Sequence, residues 1–304
     1  MKTKRILTLA ALMASAVPCL AAPFVPGEIL LVELTGNEVQ RYTPTGTLVQ
    51  NYTGTGTVWK GVGLTPGGNL VTSFTLPSPT IRIFNPSGTQ ITSFTATGTV
   101  TAGDVSVFSS GTIALTDPGN NSLQFWSQSG TLLNSINLPG LNTPQGSTVG
   151  SDGILYVTAV NNTIMARITA AGVSLGNVNL GFKGGDVVMN PVDGTLWVSG
   201  KENHLVEHIQ TDGTPLGTFA TGLAGNFFGI ALAPDNNSLY VTSDSSTVVK
   251  HFNLSGTLLD SFTLHVADTA FLMTVVPNPT PEPASAALLG LGALLLAARR
   301  RPAA

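Results

Sequence analysis

Residues 228–263 read FGIALAPDNNSLYVTSDSSTVVKHFNLSGTLLDSFT, and this stretch decides the fold. An apolar run ends at Ala233, the turn residues Pro234, Asp235, Asn236 and Asn237 follow, and Ser238-Leu239-Tyr240-Val241-Thr242 resumes β-type sequence. A second run leads to Asn253, a turn falls at Gly256, and a last run closes at Thr263. Short β-branched and aromatic runs punctuated by Gly, Pro, Asn and Asp are antiparallel strands and their turns. Helical periodicity is absent.

The pattern repeats along the chain. The turn glycine recurs at Gly46, Gly88, Gly130, Gly172, Gly213 and Gly256, with spacings of 42, 42, 42, 41 and 43. Four residues before each stands a large apolar residue: Tyr42, Phe84, Trp126, Ile168, Ile209 and Phe252. Seventeen residues before, or eighteen in the second unit, stands Ile29, Leu70, Ile113, Leu155, Leu196 or Leu239. Four strands in about 42 residues is the size of a propeller blade. The reading is an all-β, six-bladed β-propeller over residues 23–279. A β-solenoid would want shorter and more uniform rungs.

The ring can be closed from the sequence. The first copy has three strands and no inner strand before it, while residues 270–276, AFLMTVV, follow the sixth copy unassigned. One C-terminal strand with three N-terminal strands makes the closing blade and removes an open sheet edge.

The two ends carry different chemistry. Residues 1–22 open with Lys2, Lys4 and Arg5, continue through an apolar run, and reach the small residues Ala21 and Ala22, the pattern of a secretory signal peptide cut near those alanines. Residues 280–304 contain Pro281-Glu282-Pro283, an uncharged run at 284–298, and Arg299-Arg300-Arg301. Fifteen apolar residues flanked by snorkelling arginines can cross or nearly cross a bilayer as a transmembrane helix, with the arginines cytoplasmic. This order resembles the PEP-CTERM sorting signal of Gram-negative bacteria. The resemblance implies an exosortase, a membrane protease-transpeptidase, as partner. It also implies a route to the cell envelope, the cell surface or an extracellular matrix, transient membrane anchoring, and exopolysaccharide or surface proteins as neighbours.

The domain between the ends is acidic. Seven Lys and Arg stand against fifteen Asp and Glu in residues 23–279, a balance of −8, although the whole chain carries −3. Without a basic stripe nothing neutralises phosphates, which excludes nucleic acid. With 42% hydrophobic and 10% charged residues the chain is not disordered. The one cysteine, Cys19, lies in the leader, so the domain offers neither a disulfide nor a thiol nucleophile.

Leu155-Tyr156-Val157-Thr158, Leu239-Tyr240-Val241-Thr242 and the run from Asp117 to Trp126 resemble NHL-repeat propellers and the related gluconolactonase-like group. The latter resemblance implies a divalent cation, Ca or Mg, at the channel mouth. Aligning the copies puts Gly61, Asp104, Gly146, Asp186 and Gly229 at one inner-strand position. Glu33, Asp117 and Ser243 fall at the end of the second strand, with Asp244 beside Ser243. Asp104, Asp117, Asp186 and Glu33 are therefore the candidate metal ligands or general bases of a lactonase-like hydrolase. Asp at a strand end also caps turns through its own backbone, and on that reading the domain is a binding or structural module. His204 and His208 stand four apart on a strand, about 13 Å at 3.3 Å per residue, too far to share one ion. Exposed aromatics such as Trp59 could stack on sugars.

Overall fold

The computed structural model describes residues 23–33, 37–226, 229–265 and 270–278, apart from the side chain of Trp59. The leader at 1–22 with Ala21 and Ala22, and the tail with Pro281, Glu282, Pro283 and the three arginines, lie outside the described residues. Among the described residues no helix is long and apolar enough to cross a membrane.

Strands follow one another in blades. Blade 1 takes β1 (Ile29–Glu33), β2 (Glu38–Tyr42) and β3 (Leu48–Tyr52). Blade 2 holds β4 (Thr57–Leu64), β5 (Leu70–Leu76), β6 (Thr80–Phe84) and β7 (Gln90–Thr95). Blade 3 holds β8 (Val105–Val107), β9 (Ile113–Asp117), β10 (Ser122–Trp126) and β11 (Leu132–Asn137). Blade 4 holds β12 (Pro144–Val149), β13 (Ile154–Ala159), β14 (Ile164–Thr169) and β15 (Ser174–Asn179). Blade 5 holds β16 (Gly184–Met189), β17 (Leu196–Gly200), β18 (Leu205–Ile209) and β19 (Pro215–Ala220). Blade 6 holds β20 (Ile230–Leu232), β21 (Ser238–Val241), β22 (Val248–Asn253) and β23 (Leu258–Thr263). The last strand, β24 (Ala270–Val275), completes blade 1 in the order β24-β1-β2-β3. It pairs antiparallel with β1, Ile29 opposite Val275 and Leu31 opposite Met273, so residues some 240 positions apart lock the ring.

The second strand of each blade is buried on both faces over most of its length, as in β9 and β17, which is why it reads as a largely apolar run. The apolar clusters lie between neighbouring blades. Leu30, Val32, Tyr52, Val62, Leu70 and Phe84 join blades 1 and 2, for example, and Ile29, Tyr42, Tyr240, Val249 and Met273 join blades 6 and 1. No blade buries its faces alone, so stability belongs to the closed ring.

The turn glycines have two reasons to be glycine. Gly46, Gly130 and Gly256 sit at φ +83°, +86° and +83°, left-handed values that a side chain resists. Their amides donate to the carbonyls of Thr43, Ser127 and Asn253, and a bulge follows in each hairpin, as between Arg41 and Tyr42. A Cβ there would also strike a phenylalanine from the preceding blade: Phe262 at Gly46, Phe94 at Gly130, Phe219 at Gly256. Those rings rest on the repeated apolar position, with centroids 5.4 Å apart for Phe262–Tyr42, 5.4 Å for Phe94–Trp126 and 5.2 Å for Phe219–Phe252.

The ring has two unlike rims. The hairpin rim carries the turns between first and second and between third and fourth strands. The crossover rim carries the second-to-third turns and the connections from one blade to the next.

Candidate functional site

The inner strands enclose a channel of about 330 Å³, and the side chains of Asp104, Ser106, Ser147 and Asp186 are among its lining. Asp104 and Asp186 occupy the repeated inner-strand position near the crossover rim. Their neighbours at that position, Gly61, Gly146 and Gly229, are glycine because the space is taken. A Cβ on Gly61 would press on the backbone at Asp104 and Val105, one on Gly146 on Asp186, and one on Gly229 on Phe271 and Leu272. Each aspartate therefore leans over a bare backbone, and the two types alternate from blade 2 to blade 6.

Both carboxylates are spent on joining blades. An Asp104 oxygen accepts from the Ser147 amide at 2.9 Å and the Ser147 hydroxyl at 3.0 Å, across the blade 3–blade 4 seam. The Val62 and Val105 amides also donate to this carboxylate. Asp186 accepts from its neighbour Val187 at 2.8 Å and, across the blade 5–blade 6 seam, from Ile230 at 3.1 Å. Burial pushes the Asp104 carboxyl up to about 7, against the pull of Ser147 and the surrounding amides. Burial, reinforced by the charge of Asp104, holds Asp186 well above the usual carboxylate range.

A hydroxyl staple, which the sequence reading overlooked, works beside them. Ser73 donates to the Gly103 carbonyl of the next blade at 2.6 Å while accepting from Gly61 of its own at 2.9 Å. Thr116 bonds the Gln145 carbonyl at 3.1 Å and the Asp104 amide at 2.8 Å. Thr158 reaches the Gly185 carbonyl at 3.0 Å. The signal was present: a hydroxyl residue recurs at Ser73, Thr116, Thr158, Ser199 and Thr242, near the end of every second strand after the first.

The other candidates are not brought to the channel. Asp117 folds the crossover rim of blade 3, accepting from Val100 at 3.1 Å, Thr101 at 3.0 Å, Gly119 at 3.1 Å and the Asn120 side chain at 2.9 Å. Glu33 is fully buried at the end of β1, opposite Glu38 across the strand pair. With Glu38 it adds to the burial that pushes the Tyr42 phenol up to about 12. Asp244 is half-buried and accepts from the Asn226 amide at 2.9 Å, while Ser243 donates to the Ala224 carbonyl. His204 precedes β18 at φ +58°, and His208 stacks on Trp197 with centroids 4.1 Å apart and bonds Thr195. Among the described residues no three of His, Cys, Asp and Glu gather around one point. Calcium takes six to eight oxygen ligands. Asp104 and Asp186 supply two carboxylates already occupied by amides, so no step through a cation is derived from them.

Residues 279–301 match the PEP-CTERM protein-sorting motif. Among proteins of curated function none matches the chain. Several solved structures share the fold. A chain of the nidogen/laminin complex aligns with a TM-score of 0.70 at 15% identity, covering 83% of this chain and 99% of that one. A functionally unknown protein from Desulfotomaculum acetoxidans gives 0.65 at 13%, covering 83% and 100%. Streptogramin B lyase gives 0.63 at 16%, covering 82% and 83%. At such identities the likeness shows the propeller fold alone. The chain is thus a six-bladed propeller carrying a sorting motif that marks an exported protein for processing by an exosortase in the cell envelope.

Proposed function

We propose that this protein displays a binding propeller at the surface of a Gram-negative cell or in its polysaccharide matrix, anchored by its tail only until processing. One observation carries the reading: both ends of the described domain leave from the hairpin rim. The Pro23 carbonyl accepts from Arg41 at 3.3 Å, Gly27 donates to Val276 at 2.9 Å, and the Asn278 side chain bonds Pro234 at 2.7 Å. The closing blade forces this, because β24 runs out where β1 begins. A tail held at a membrane then turns the crossover rim outward. That rim presents neutral amides and hydroxyls, Asn120, Asn142, Asn203, Asn226 and Ser245 among them, groups suited to sugar hydroxyls. The hydrolase alternative draws on Asp104 and Asp186, and the binding reading is preferred because each already ties adjacent blades together.

The test is cosedimentation of the exported protein with isolated exopolysaccharide. A bulky maleimide on Ser245→Cys, at the crossover rim, should abolish it, and the same adduct on Ser87→Cys, at the hairpin rim, should not. The reverse result sinks the proposed orientation. Neutral replacements of Arg299, Arg300 and Arg301 should halt processing and display, and unchanged sorting would remove the anchor from the scheme.

A further inference from the structure

A second concavity of about 630 Å³ opens on the hairpin rim, away from the channel aspartates. Its walls include Phe24, Leu64, Pro66, Pro86 and Phe108, and none of its lining residues is charged. The volume lies within the range of about 300–1,000 Å³ typical of pockets that bury a ligand. The aromatic walls are braced from behind. The Arg41 guanidinium lies 4.8 Å from the Phe24 ring centre, and Phe108 packs on Phe125 with centroids 6.2 Å apart.

The chain itself supplies an occupant. Pro277 and Asn278 form part of the wall, and the next residues read Pro279-Thr280-Pro281-Glu282-Pro283. Proline at every second position favours an extended polyproline rod, about 16 Å over five residues at 3.1 Å each, and such rods dock in aromatic-lined grooves at little entropic cost. Pro279 is bonded directly to the pocket wall, and short tethers of this kind hold a segment at an effective concentration on the order of millimolar. We infer that this pocket receives the proline-rich root of the sorting tail, with residues 279–281 against the Phe24 and Phe108 walls and Glu282 at the lip. Docking there holds the sorting motif close against the hairpin rim, and a processing enzyme must displace it to reach the motif. The inference concerns the tail's seat on the domain and does not depend on what the crossover rim binds.

The experiment uses the full-length precursor, tail intact, with Cys19→Ser, which leaves no native cysteine. Thr280→Cys is paired with Ser109→Cys in the pocket, or with Asp235→Cys beside Pro234, the other neighbour of Asn278. Thr45→Cys in the adjoining turn is a second decoy should Asp235→Cys weaken its own turn. The disulfide to residue 109 should form at least tenfold faster than either decoy. Replacing Pro279 and Pro281 with glycine should remove that advantage. Equal rates in the starting chain, a faster decoy, or intermolecular disulfides in place of the internal one would each overturn the inference.

Discussion

The hairpin rim and the crossover rim are built from the same strands by opposite rules. On the hairpin rim each third-to-fourth-strand turn is short and its glycine serves the left-handed turn, and at Gly46, Gly130 and Gly256 it also makes room for a phenylalanine ring of the preceding blade. On the crossover rim the connections differ in length, and polar contacts run between blades through Asp104, Asp186, Ser73 and Thr116. Sterics fix the first rim and hydrogen bonding the second. A repeat protein needs one uniform surface to propagate its blade, which leaves the other free to vary.

The severest way to break this contrast is to open the ring, since β24 joins the two rims in the closing blade. A chain ending at Thr263 should lose cooperative unfolding, because Phe271, Leu272, Met273 and Val275 leave both clusters beside blade 1. A chain ending at Pro279 should melt as the full domain does, as followed by circular dichroism. Equal melting temperatures would show that blade 1 does not need its C-terminal strand.

A smaller effect separates the rims by pH. The carboxyls of Asp104 and Asp186 are raised in the fold, so the folded chain binds more protons than the unfolded one between about 4 and about 7. The stability Asp104 contributes is therefore greatest below the unfolded value of 3.8 and is lost as pH rises toward about 7, and Asp186 adds a loss in the same direction. Asp104→Asn should flatten the slope in denaturant melts across this range, and an unchanged slope would mean the pair does not titrate there.

The smallest test compares glycines of like backbone. Gly130→Ala on the hairpin rim meets both φ +86° and the Phe94 ring, whereas Gly181→Ala, on the crossover rim at φ +77°, has nothing within 4 Å. Left-handed strain alone costs about 1–2 kcal/mol. Gly130→Ala should cost about 1 kcal/mol more than Gly181→Ala, since the Phe94–Trp126 contact must also shift. Equal losses in urea melts would mean that the turn, and not the neighbouring ring, selects glycine.

Much of the fold was legible in the residues themselves because it is local and repeated. Gly46 to Gly256, the apolar position four residues earlier, and the unassigned run at 270–276 together gave blade number, strand order and closure. The equivalence of Asp104 and Asp186 was legible too, since both hold one place in the repeat. Their partners were not. Ser147 lies 43 residues from Asp104 and Ile230 lies 44 from Asp186, so each bond is made only when adjacent blades are brought face to face. Asp117 and Glu33 shared a strand-end position in the repeat, yet Asp117 binds the amides of its own rim and Glu33 is fully buried opposite Glu38. Periodicity fixes which residues are equivalent, whereas the direction a carboxylate takes follows from the backbone amides that burial leaves in need of an acceptor, and those come from the neighbouring blade.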